Sequence, residues 1–337
     1  MTIPARKPAA GFHEGELAVQ HRAGVTRDAS RLAGMLAPAQ LGGGIARFLE
    51  DRTFAAITAR DERGTLWISP LTGSAGFLDV ASSTALDVHA LPVEGDPLRH
   101  LSARQPVGLI VVEFAVRRRL RINGELSGRS SDGLRIDVEQ AYGNCPQYIH
   151  RRHLHTVDVS PSGVEPVRRA SALASEDVDL IGLSDTLLVG TTHPTRGNDA
   201  SHRGGSPGFV RVQDGELWWP DYSGNNMFNT LGNIEADPET ALLFCDFATG
   251  RTLHLSGRAV VEWTDPGAPG DDDHTGRRVR FTPRHVVAGR LLPVQADSVA
   301  AAPDNPPLTG RPAPLRRTST ETEPVAGKGA PVGTGLS

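Results

Sequence analysis

The chain has 337 residues, 38% hydrophobic and 22% charged, with a formal net charge of −4. That balance describes a water-soluble globular chain with enough length for two domains, each burying its own core. It excludes a global basic field for nucleic acid or an anionic membrane, and no apolar run approaches the roughly 20 residues of a spanning helix.

In chain order, residues 1–12 read as a loose N-terminus. Residues 38–51 read as a short helix, followed by strands at 54–59 and 65–70 around the turn Asp61-Glu62-Arg63-Gly64. A third strand is expected at 77–80. Residues 96–104 carry Leu98 and Leu101 at helical spacing, and two long strands follow at 107–114 and 119–123. Residues 161–179 are polar and read as a linker. Beyond it, strands are expected at 187–192, 209–213 and 216–220, with Asp214-Gly215 as a hairpin turn. A helix at 226–237 stops before Pro238, and strands follow at 242–247, 252–262 and 278–288. From 294 to 337 large apolar residues are scarce, which predicts a disordered tail. Cys145 and Cys245 are far apart and form no CxxC. With no secretory h-region apparent, a reducing, cytoplasmic setting is expected.

The chain repeats itself. Gly73-Ser74-Ala75-Gly76-Phe77 recurs as Gly205-Ser206-Pro207-Gly208-Phe209, an offset of 132. Phe114-Ala115, with Arg118, Leu120 and Gly124, recurs as Phe247-Ala248, with Arg251, Leu253 and Gly257, an offset of 133. A period this long points to a doubled domain and excludes a solenoid, whose repeats run to about 20–50 residues. Short strands, tight turns and few helices describe a small closed barrel in each copy, giving domains at 13–160 and 180–293.

Several strings carry candidate chemistry. Gly204-Gly205-Ser206-Pro207-Gly208 brings backbone close to a ligand, with His202, Arg203, Ser206 and Phe209 beside it; its plain alternative is a sharp turn. The same letters fit G-x-S-x-G, but a strand rather than a helix follows, so a nucleophile elbow is rejected. Ser223, Asn226, Asn229 and Thr230 lead into a helix whose N-terminus suits an anion, or cap it and no more. Arg117, Arg119 and Arg121 fall on one face of a strand and could grip a phosphate, or merely protect an edge. Tyr148 could cover a flat ring. His150, His153 and His155 lack a second ligand cluster for zinc, and Gly42-Gly43-Gly44 opens no dinucleotide fingerprint.

From Asp61 through Gly64, Trp67, Ser69, Gly73, Gly76 and Phe77, and again from Asp199 to Phe209, the sequence resembles the pyridoxamine 5′-phosphate oxidase-related, FMN-binding split-barrel proteins. The resemblance spans about residues 40–290. It implies a mainly β fold of tandem split barrels with FMN in the groove between them, deazaflavin or haem being the alternatives that related barrels bind. The cofactor residues it implies are His202, Arg203, Gly205, Ser206, Pro207, Gly208, Phe209, Ser223, Asn226, Asn229, Thr230, Arg117, Arg119 and Tyr148. The expected function is an FMN-dependent oxidoreductase with a small-molecule substrate and an electron donor; the alternative is a noncatalytic flavin-binding or sensing module. Partners are expected to exclude nucleic acid and membrane, the chain being a monomer with an internal pseudo-dimer or a homodimer. Asn229 stands where the biosynthetic oxidase has a lysine.

Overall fold

A computed structural model describes residues 11–157 and 166–310. The architecture is mainly β with a few short helices, in agreement with the sequence reading. Strands β1 (Phe54–Arg60), β2 (Leu66–Thr72), β3 (Leu78–Ser82), β4 (Ala85–Val88), β5 (Gln105–Glu113), β6 (Arg118–Arg129) and β7 (Leu134–Asn144) form one antiparallel sheet in the order β2-β1-β5-β6-β7-β4-β3. After the short β8 (His155–Thr156) and β9 (Arg168–Ala170) come β10 (Thr186–His193), β11 (Gly197–Gly204), β12 (Arg211–Gln213), β13 (Glu216–Pro220), β14 (Glu239–Cys245), β15 (Thr252–Trp263) and β16 (Arg277–Gly289). These run β11-β10-β14-β15-β16-β13-β12, the first order with every strand number raised by nine, and β9 adds to β16. The last strand, β17 (Val294–Gln295), pairs with β8.

Local chemistry explains the recurrence. After β2 and after β11 the chain makes the same turn: Phe77 N–H donates to the Ser74 carbonyl at 3.0 Å, and Phe209 N–H to that of Ser206 at 2.9 Å. Gly76 and Gly208 take φ of +89° and +94°, a region closed to most side chains. A Cβ on Gly73 or Gly205 would strike the ring of the following Phe77 or Phe209. Opposite the long strands β6 and β15 the partner strands bulge alike: β7 has an extra residue, Glu139, facing Asn123/Gly124, and β16 an extra Arg284 facing Ser256/Gly257. The Asp214-Gly215 hairpin has both central residues at positive φ, 53° and 80°, as a type I′ turn requires.

Each sheet wraps its own apolar cluster, and a third cluster joins them. Phe54, Ile68, Ile110 and Phe114 from the first sheet meet Leu188, Leu243 and Phe247 from the second. β11 crosses β5 and β6, while β2 crosses β14 and β15. The two sheets therefore face each other through corresponding strands.

Helices α1 (Glu14–Arg22), α2 (Thr26–Ser30), α3 (Gly44–Glu50), α4 (Ser175–Leu183) and α5 (Asn229–Ala236) complete the fold. None is long and apolar enough to cross a membrane.

Some expectations need correction. Residues 96–104 form turns and no helix: Arg99 and Leu101 N–H close i→i+3 bonds to Asp96 and Leu98, and Arg104 takes φ +65°. Helix α1 and strands β4, β7 and β11 carry no pattern that singled them out. Within the expected linker, residues 166–179 supply β9 and the start of α4; 161–165 lie outside the described residues. Within the expected tail, residues 294–310 run along the surface of the body and are tied to it by backbone partners: Ala300 exchanges two backbone bonds with Arg151, and Thr309 bonds Asp272. Residues 311–337 lie outside the description, as do 1–10 of the expected loose N-terminus. The domain limits also shift, since α1 packs on α5 of the second sheet rather than within 13–160.

Candidate functional site

Where β11 crosses β6, alternation along β6 sends Arg119 and Arg121 toward the other sheet. Arg121 donates to the Asp199 carboxylate at 2.8 Å, and Asn123 donates to the other Asp199 oxygen at 3.2 Å. Arg203 on β11 donates to Asp221 at 3.2 Å, and Asp221 also accepts from Arg277 at 3.0 Å. Arg119 differs. It donates to His202 Nδ1 at 2.9 Å and to the His202 carbonyl at 3.2 Å, and among the described residues no carboxylate pairs with it. Its Nε has no hydrogen-bond partner. Four guanidiniums, those of Arg119, Arg121, Arg203 and Arg277, and two carboxylates thus meet at the seam, leaving positive charge in excess.

Arg119, Arg121, His202, Arg203 and Asp221 line a pocket of about 760 Å³, counting its open mouth. Asn144, Cys145, Gln147 and Tyr148 come from the first half; residues from β11, from 220–226 and from the start of α5 come from the second. Three lining residues other than glycine, Tyr148, Asn226 and Phe228, hold φ of 65°, 60° and 59°. Such conformations cost about 1–3 kcal/mol each and persist where the surroundings over-determine them. Tyr148 is held by its hydroxyl, which donates to the Ser223 carbonyl at 2.7 Å, and by its ring, 5.1 Å from that of Tyr222. Its carbonyl occupies the space a Cβ on Gly204 would need, so the close approach of the halves requires glycine there. Phe228, the N-cap of α5, provides no side-chain cap, and the first turn of α5 borders the pocket.

No family model matches the chain, and no curated protein matches it. Solved structures do, each over about a third of it. A putative pyridoxamine 5′-phosphate oxidase from Lactobacillus delbrueckii is similar at 17% identity over 34% of this chain and 93% of that one, TM-score 0.29. A FAD-binding protein from Mesorhizobium loti gives 11% over 36% and 97%, TM-score 0.26. The FAD-binding protein from Mycobacterium smegmatis gives 11% over 38% and 99%, TM-score 0.25.

Electrostatics at the seam follow from burial. Arg119 is pulled down to about 9 by burial and then by Arg121 and Arg203. Burial lowers Arg203 as well, against the pull of Asp221. For Arg121, burial is outweighed by Asp199 and Tyr142, and the net direction is up. His202, 3% exposed, falls well below its ordinary value through burial and then Arg119. A neutral ring is what lets Nδ1 accept from the guanidinium.

Of the residues singled out in the sequence, His202, Arg203, Phe209, Ser223, Asn226, Asn229, Thr230, Arg119 and Tyr148 line this pocket. Gly205, Ser206, Pro207 and Gly208 do not. They form the recurring turn beyond β11, with Leu308 beside Gly208. Arg117 is also elsewhere: it precedes β6 in a turn at φ 53° and donates to the Ile149 and Ala301 carbonyls at 2.8 and 3.0 Å. Strand alternation cannot place a residue that is not in the strand. The side chain of Asn229 turns away from the arginines to donate to Glu16. Asp199, Asp221, Tyr222, Asn144 and Cys145 were missed; an acid three residues before His202 and another after Pro220 were the available signals. His150 bonds Asp185 and Asn305 rather than gathering with His153 and His155. His13, Glu14 and His193 do lie together. Both histidines use Nδ1 to accept backbone N–H groups, from Gly15 for His13 and from Thr195 and Arg196 for His193.

Proposed function

We propose that this chain binds FMN in the seam pocket and works as a flavin-dependent oxidoreductase on a small molecule. The observation that carries the reading is Arg119, a half-buried guanidinium with an enclosed, unbonded Nε and no carboxylate partner among the described residues, beside Arg121 and Arg203 and near the uncapped first turn of α5. A phosphate monoester supplies the missing charge, and arginine forks match its oxygens. The donor set also fits the rest of the cofactor: Tyr148 and Tyr222 offer ring faces, and Asn144, Gln147 and Asn225 offer amides to polar edges. When bound, the flavin would supply hydride or electron transfer, so no side-chain nucleophile is required. The protein's part is to orient and to exclude water. Both walls come from one chain, which supports a monomer whose halves arose by duplication and act as an internal pseudo-dimer.

The test is spectroscopic. Purified protein is expected to carry or take up FMN with flavin absorbance, and NAD(P)H or another reductant to bleach it. Arg119→Gln is expected to weaken FMN about ten- to a hundredfold, the worth of one charge-assisted phosphate bond. Flavin binding without bleaching by any donor would favour the noncatalytic binding module. Affinity unchanged in Arg119→Gln would remove the phosphate assignment.

A further inference from the structure

The two facing sheets create a second groove, where β2 crosses β15, as β11 crosses β6. Strand registers align the grooves residue by residue. Leu120 pairs with Val111 as Leu253 pairs with Phe244, which puts Thr252 and His254 in the places of Arg119 and Arg121. Arg203 pairs with Leu187 as Leu71 pairs with Ala55, so Leu71 stands in the place of Arg203. By the same 133-residue offset, Asp96 stands in the place of Asn229.

All three cationic positions are thus lost, and the space is filled. Asp96 and His254 side chains are 0% exposed, with His254 Nε2 3.7 Å from an Asp96 oxygen. Ser69 donates to Asp96 at 2.6 Å, and Leu98 N–H donates to the same oxygen at 2.8 Å. His254 Nδ1–H donates to the Ile68 carbonyl at 3.1 Å, and Nε2 meets the Thr252 hydroxyl at 3.1 Å. Arg169, the nearby cation, donates to the Gly95 carbonyl at the surface. A second phosphate here would have to displace a buried network, in which Asp96 Oδ1 is bonded twice and Oδ2 has no hydrogen-bond partner, and meet a carboxyl group rather than a guanidinium.

We propose that the chain holds one flavin phosphate and not two: the β6–β11 groove binds it, and the β15–β2 groove is a closed structural counterpart fixed by Ser69, Asp96 and His254. This rests on the FMN reading above, and the experiment separates the two. The full chain, freed of flavin by dialysis, is titrated with FMN by calorimetry and by quenching of flavin fluorescence. One equivalent per chain is expected. Arg119→Gln should weaken that binding about ten- to a hundredfold, and His254→Gln or Asp96→Asn should leave it within twofold while lowering the melting temperature. If those two do not fold, Ser69→Ala gives the same reading through a milder change. Two equivalents per chain would overturn the single-groove inference and leave the FMN reading standing; one equivalent lost in His254→Gln and retained in Arg119→Gln would overturn the choice of groove and the phosphate assignment to Arg119 with it. No uptake of FMN under any condition would overturn the reading itself and this inference with it.

Discussion

His202 lies buried against Arg119 with its ring neutral, and this ties the pocket's integrity to pH. Its folded value lies below 6.5, so the unfolded chain binds more protons as pH falls through 6.5. The stability this group contributes is present above pH 6.5 and is lost on acidification toward the folded value. His13, pulled down to about 4 chiefly by burial, acts in the same sense. Glu16, raised to about 7 by burial, acts in the opposite sense, so the expectation is a difference: acidification from pH 7.5 to pH 5 costs the parent more melting temperature than it costs His202→Asn, measured by differential scanning fluorimetry. An equal slope in the variant would mean His202 does not sense this range. Ser206, conspicuous in the sequence, lies in the turn that recurs at Ser74, off the pocket. Ser206→Ala is expected to leave FMN affinity within about twofold, since no charged or buried bond is removed. Glycine strings advertise backbone geometry and do not say whether a ligand or a Phe ring needs the room. Arg119 and Arg121 were legible because strand alternation fixes their face, and Arg203 because it adjoins the glycine string. Their partners Asp199 and Asp221 were not, because the pairing spans 78 residues for Arg121 and 18 for Arg203.

At the level of elements, α1 and α5 meet almost backbone to backbone. A Cβ on Gly15 would run into the Gly232 carbonyl oxygen, and one on Gly232 into Glu16. Around that contact Glu16 accepts from Asn229, His13 bonds Asn233 at 3.0 Å, and Gln20 donates to the Met227 carbonyl at 3.2 Å. Gly15→Ala gains up to about 1 kcal/mol of helix propensity but overpacks the contact, and a net loss of about 1–3 kcal/mol is expected in urea unfolding. A variant more stable than the parent would contradict the close approach. This docking was invisible in the sequence, since α1 presents charged residues and three apolar ones, Leu17 to Val19, in succession rather than at a helical period. The helix expected at 96–104 failed for the converse reason: spacing of three suits an i→i+3 turn as well as a helix. Long apolar strands such as β5 and β10 were read correctly because they are buried along most of their length.

Over the whole molecule, the cluster shared by the sheets decides how separable the halves are. Phe54, Phe114 and Phe247 pack ring against ring, with centroids 5.3 to 6.0 Å apart, and Arg152 lies over two of them. Cutting the chain between 157 and 166 would expose this surface on both pieces. Residues 166–310 produced alone are expected to aggregate or to pair with a second copy in size-exclusion chromatography. A well-folded monomer from that piece would show the shared cluster to be dispensable. The like order of the two sheets followed from the 132-residue repeat, whereas their facing arrangement needed coordinates, because a repeat specifies units and not how they meet.

The grip of His13 and Glu16 on α5 has a bearing on biosynthesis. His13 leaves the ribosome 220 residues ahead of the Asn233 that it bonds. The helix that borders the pocket thus emerges after the clasp that secures it, and assembly of the cleft is deferred until α5 has been translated. A nascent chain stalled before α5 would have its basic strand and most of the pocket wall, and would lack the helix that closes one side.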